Sequence, residues 1–146
     1  MTPPDAMVRS RILLVEDDAM LARTLVELLQ RSDYEVALAK QGREAIERLA
    51  REPFALVISD IFMPDSDGLE LLDHIRRLPM RPPVLAMSGS STARIGGMLK
   101  VAVALGATRT LSKPFTPAEF LSTVGQLVGA EVRRGSPAAR PSPTAP

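Results

Sequence analysis

Residues 54–60 read Phe54-Ala55-Leu56-Val57-Ile58-Ser59-Asp60, and the centre of this stretch, Leu56-Val57-Ile58, is apolar without interruption. A strand with one wet face alternates apolar and polar residues, whereas an unbroken apolar run points to burial on both faces. The expected strand therefore lies inside a sheet that is covered above and below. It is followed by a charged residue at the place where the chain must leave the sheet.

Working outward, the same alternation of short apolar runs and helical periodicity recurs on both sides. Residues 11–16 form a β-prone run, and Ala19 to Gln30 places Met20, Leu21, Leu25, Leu28 and Leu29 at helical spacing. Glu35 to Ala39 reads as a strand and Gly42 to Arg51 as a helix. After the central strand come a helix from Gly68 to about Leu78, a strand from Pro83 to Met87, and a helix around Met98 to Leu105. A strand at Thr108 to Leu111 and a helix from Pro117 to Val128 complete the series. Strict alternation implies parallel strands joined by right-handed crossovers. A closed eight-stranded barrel would need about 200 residues or more, and the chain has 146. The expectation is an α/β fold: a doubly wound, five-stranded parallel sheet.

The domain of residues 11–129 is flanked by two segments expected to be disordered, 1–10 and 130–146. The second is rich in Pro, Ala and Ser, with Pro137, Pro141, Pro143 and Pro146 opposing regular structure. No apolar run approaches the ~20 residues of a membrane helix. The start of the chain lacks a basic region followed by an apolar stretch, so a cytoplasmic protein is expected. With no cysteine, disulfides, thiolate metal sites and Cys nucleophiles are excluded together. A formal net charge of +1 supplies no global field toward nucleic acid or an anionic membrane. Arg133, Arg134 and Arg140 are read as solubilising, because no stacking aromatics accompany them.

In doubly wound sheets the functional residues follow the strands. Here the strand ends carry Glu16-Asp17-Asp18, Asp60, Ser88 and Ser112-Lys113-Pro114. Several carboxylates brought to one edge repel unless a cation neutralises them, and all-oxygen donors favour a hard ion such as Mg2+ (or Mn2+). An Asp beside that ion can act as a nucleophile toward phosphorus, with a lysine and a hydroxyl to stabilise the transferred oxygens. Asp18 is read as a helix N-cap. His74, beside Asp73 and Arg76 on a polar helix face, is read as structural.

Leu14-Val15-Glu16-Asp17-Asp18, Ser59-Asp60-Ile61-Phe62-Met63-Pro64 with Asp67-Gly68, and Lys113-Pro114-Phe115 together resemble the receiver domain of bacterial response regulators, over about residues 10–129. The resemblance implies the strand order 2-1-3-4-5 of the chemotaxis-regulator type. It implies Asp60 as phosphoacceptor, Asp17 and Asp60 as direct metal ligands, Glu16 acting through metal-bound water, and the carbonyl of Phe62 as a further ligand. Ser88 matches the switch hydroxyl, Lys113 the phosphate-contacting lysine, and Lys113-Pro114 is the candidate cis bond. The implied partners are a sensor histidine kinase or a histidine phosphotransfer protein and a downstream protein, with no nucleic acid and no membrane. A stand-alone phospho-accepting module is expected rather than an enzyme.

Three departures from the family pattern stand out: Thr110, a longer interval from Ser88 to Lys113 that contains Gly96-Gly97, and the bulky apolar Phe62 beside Asp60. Thr110 occupies the position where the family carries Tyr, Phe or His, so an aromatic rotamer switch cannot operate there. Gly89, Ser90, Ser91, Gly96 and Gly97 make residues 89–100 the stretch expected to reorganise on phosphorylation. A metal-dependent phosphohydrolase and a flavodoxin-like cofactor binder are the competing readings, the latter opposed by acids where a phosphate loop would need Gly, Ser or Thr.

Overall fold

A computed structural model describes residues 10–61, 68–89 and 100–135. Five parallel strands, β1 (Arg11–Val15), β2 (Glu35–Ala39), β3 (Leu56–Asp60), β4 (Val84–Ser88) and β5 (Arg109–Ser112), form one sheet in the order β2-β1-β3-β4-β5. The helices are α1 (Ala19–Arg31), α2 (Gly42–Arg51), α3 (Gly68–Arg76), α4 (helical at 100–104) and α5 (Pro117–Gly135). The doubly wound fold and its strand order are those expected.

The continuous apolar runs explain the layering. In β1, Ile12 and Leu14 pack with Leu25 and Leu29 of α1 and with Phe120 and Val124 of α5. Their neighbours Leu13 and Val15 point the other way, toward Ala45 of α2, Leu71, Leu72 and Ile75 of α3, and Ala102 of α4. The period-2 alternation of a strand thus feeds two cores, one on each face. Full burial of each large apolar side chain in these cores stabilises the fold by about 1.5–3 kcal/mol before entropy is counted.

Helix boundaries follow from capping chemistry. Asp18 accepts hydrogen bonds from the N–H groups of Met20 (3.0 Å) and Leu21 (3.2 Å), as expected of the N-cap. At the other end of α1, Asp33 adopts φ 69°, and the amides of Asp33 and Tyr34 donate to the carbonyls of Gln30 and Leu29. This left-handed C-terminal closure accounts for the turn before β2. Before α5, Thr116 and Glu119 cap one another reciprocally, with bonds of 2.9 and 3.0 Å.

Two helix ends differ from the sequence reading. α3 stops at Arg76 rather than near Leu78, because Pro79 cannot continue a helix and Arg77 and Leu78 already sit in a turn. α5 passes the expected end at Val128 and runs to Gly135, into the segment read as a tail. Ala130-Glu131-Val132-Arg133-Arg134 contains good helix formers, and the first proline comes only at Pro137. Phe62, Met63, Pro64, Asp65, Asp67 and most of the 89–100 stretch lie outside the described residues.

Candidate functional site

Parallel strands end at one edge, so the residues that follow them are brought together by topology. Glu16 follows β1, and its N–H donates to the carbonyl of Ala39 in β2 (3.0 Å). Its side chain is buried, 1% exposed. One oxygen, Oε2, accepts from the amide of Asp18 (3.1 Å) and the other, Oε1, from Lys113 Nζ (3.3 Å). Asp60 closes β3 on the neighbouring strand, also buried, and its Oδ2 accepts from the same Lys113 Nζ at 3.1 Å. Asp17 is exposed beside them, and ligand oxygens of Glu16, Asp17 and Asp60 all lie within 4.8 Å of one another.

Lys113 reaches the acids because its backbone is pinned at the end of β5. Its amide donates to the Ser88 carbonyl at 2.7 Å, and the Lys113-Pro114 bond is cis, as expected. Ser88 closes β4 and is buried. The residue before it, Met87, pairs with Asp60 in the sheet register, which sets Ser88 at the same edge. The Ser88 hydroxyl donates to the Gly89 carbonyl at 3.5 Å, the long limit of a hydrogen bond. Thr110 lies half-buried in β5 opposite Ala86.

The charges do not balance. Burial and the nearby Asp60 charge push the Glu16 carboxyl above its ordinary value, outweighing the Asp18 amide and Lys113. Burial alone would lower Lys113, but the charges of Asp60 and Glu16 and their hydrogen bonds raise it on balance. Among the described residues, three carboxylates against one ammonium leave two negative charges in a partly desolvated cleft. A hard divalent cation fits both the donor type and the charge.

Sequence comparison places this geometry in a family. The family model described as the response regulator receiver domain matches residues 12–125. The chain belongs to that family. Receiver domains are the signalling modules of two-component response regulators. The response regulator receiver protein CpdR of Brucella abortus is 31% identical, over 81% of this chain and 96% of that protein. The transcriptional activator protein PfeR of Pseudomonas aeruginosa is 40% identical over 75% of this chain, but the match takes in only 35% of PfeR. The chain thus spans roughly a third to a half of the length of several curated relatives, which are longer transcriptional regulators. Among solved structures, the receiver domain of the sensor histidine kinase PA1611 of Pseudomonas aeruginosa superposes with TM-score 0.74 at 25% identity. That match covers 84% of this chain and 99% of the other, which was solved with a magnesium ion coordinated in its active site cleft.

The structure brings Glu16, Asp17, Asp60, Ser88 and Lys113 to one edge, and the Phe62 carbonyl lies outside the described residues. Two contributors escaped the sequence reading. The Asp18 amide orients Glu16, a backbone role that no residue type announces. Gly68 lets α3 approach the Asp60–Ile61 backbone, and its only signal was its place in the Asp67-Gly68 pair.

Proposed function

We propose that Asp60 is the phosphoacceptor of a response regulator receiver domain, acting in the cytoplasm on a phosphoryl group supplied by a sensor histidine kinase or a histidine phosphotransfer protein. The observation that carries this reading is the Lys113 ammonium, shared between Asp60 and Glu16 at 3.1 and 3.3 Å. It holds the nucleophile in place and puts a positive charge where phosphoryl oxygens would arrive. Glu16, Asp17 and Asp60, with the Phe62 carbonyl, would hold one Mg2+ (or Mn2+), Glu16 through a bound water. When bound, that ion supplies neutralisation of the acids and of the incoming phosphoryl charge.

An Asp60 carboxylate oxygen attacks the phosphorus of a phosphohistidine. The new O–P bond forms as the P–N bond breaks, and the departing imidazole keeps the electron pair and takes up a proton. Lys113 Nζ pairs with one transferred oxygen, and the Ser88 hydroxyl turns from the Gly89 carbonyl to donate to another. Each chain takes up one phosphoryl group, and the signal passes on by protein contact or by onward transfer. With Thr110 in β5, no aromatic rotamer accompanies it.

Intact-mass measurement after incubation with acetyl phosphate and Mg2+ tests the assignment. A gain of one phosphoryl group is expected for the native chain and none for Asp60→Asn or in chelator. An undiminished gain in Asp60→Asn would refute it. Repeated turnover of acetyl phosphate far beyond one group per chain would favour a phosphohydrolase instead.

A further inference from the structure

At the opposite end of the sheet, the loops that lead into β3, β4 and β5 enclose a groove of about 770 Å³. Leu49, Phe54 and Leu78 line it and rest against the core beneath, so its floor is apolar and backed by packed structure. Met80 stands at its rim with 89% of its surface in water, which leaves a large apolar side chain uncovered beside the apolar floor.

The charged groups around the groove are unevenly committed. Glu52 lines it, but one carboxylate oxygen pairs with Arg11 and the other with Arg48. Arg81 lines it too, and among the described residues no carboxylate lies within 4.0 Å of its guanidinium. Its Nη1 donates to the Arg76 carbonyl at 3.0 Å, which fixes the head group without neutralising it. Next to it Arg76 and Arg77 share the single carboxylate of Asp73, leaving a further positive charge. The acid of this groove is thus satisfied and its base is not.

We propose that the groove docks a segment of a partner protein in which a large apolar side chain stands next to an Asp or Glu. The apolar side chain covers the Leu49–Phe54–Leu78 floor and Met80, and the carboxylate pairs with Arg81. Nucleic acid fits less well, because among the described residues Phe54 is the one aromatic ring in the lining and the Arg11 guanidinium lies over it, 5.3 Å from its centroid. Since the groove and the carboxylate cluster occupy opposite ends of the strands, docking proceeds whether or not Asp60 is modified.

Panning a phage-displayed library of random peptides on the full-length chain, then titrating the selected peptides into the 15N-labelled chain, tests this. The selected peptides should pair an acidic with a large apolar residue and shift amides in 49–54 and 78–83. They should bind Arg81→Glu and Met80→Lys about tenfold or more weakly. Both positions are exposed, so unchanged amide spectra elsewhere establish that the variants fold. Asp60→Asn should bind them like the native chain. Peptides without the acidic–apolar pairing, shifts confined to the carboxylate edge, or unaltered affinity in Arg81→Glu would overturn the proposal. So would groove amides that move in the free protein when residues 1–9 are removed, since the chain's own N-terminus would then be the occupant.

Discussion

Gly68→Ala probes what seats the end of β3. A Cβ at Gly68 would lie 2.4 Å from Ile61 Cα, 2.8 Å from the Asp60 carbonyl oxygen and 2.9 Å from Ile61 C. All three are backbone atoms, so no side chain can turn aside. Carbon atoms pack best at about 3.5 Å or more, so the first turn of α3 must retreat by about 1 Å. Overpacking of this kind costs about 1–3 kcal/mol, and exchanging a helical glycine for alanine offsets up to about 1 kcal/mol of it. A net loss of roughly 1–2 kcal/mol is expected in urea unfolding followed by circular dichroism. Because the crowded atoms belong to Asp60 and its neighbour, part of the strain falls on the carboxylate site, and the Mg2+ affinity measured by titration should fall as well. If Gly68→Ala is as stable as the native chain and binds Mg2+ equally, the close approach of α3 does not position Asp60.

Lys113→Ala should slow acetyl phosphate labelling of Asp60 by about 100-fold, the scale expected for removing one charge-stabilising donor; an unchanged rate by mass spectrometry would remove Lys113 from the chemistry. Glu16 is raised in the folded state by burial and by Asp60, above its ordinary value of 4.5. The folded chain therefore binds its proton first, and the metal-free protein should gain stability as pH falls through the folded value toward 4.5, while Mg2+ affinity falls over the same window. Glu16→Gln should flatten both profiles, as read by urea unfolding and Mg2+ titration across that range. Phe120 is wholly buried and stacks on Phe115 with centroids 5.5 Å apart, so Phe120→Ala should cost about 3–5 kcal/mol in the same unfolding assay.

Much of the architecture was readable because its signals are local and repeated. The unbroken Leu56-Val57-Ile58 run announced a two-faced sheet, and the strand-helix alternation left little topological choice. The acids and the lysine were legible because a parallel sheet delivers every strand end to one edge, so order along the chain becomes proximity in space. Less legible was whatever depends on contact between distant backbones. The clearance at Gly68 needs the crossing of α3 over β3, and the hold on Glu16 comes from an amide rather than a side chain. Helix ends also escaped: the apolar spacing suggested an end at Val128, yet α5 runs on to Gly135, where helix-forming residues give way to Ser136 and Pro137.

The formal charge of +1 concealed a polarity that the topology produces. Each crossover helix starts near the carboxyl edge of the sheet and ends near the amino edge. Acids stabilise helix starts and bases stabilise helix ends, and this chain follows that rule. Asp18 caps α1, while Glu44, Glu70 and Glu119 occupy the first turns of α2, α3 and α5. Arg31, Arg48, Arg51 and Arg76 occupy the last turns of α1, α2 and α3. Arg11 and Arg109 then open the first and last strands at the basic edge, as Glu16, Asp17 and Asp60 close theirs at the acidic one. Helix capping therefore enriches the carboxyl edge in acid and the groove edge in arginine. Charge counted over the whole sequence is blind to that separation, whereas a ligand within about 8–10 Å, the screening distance at physiological salt, meets only one end of it.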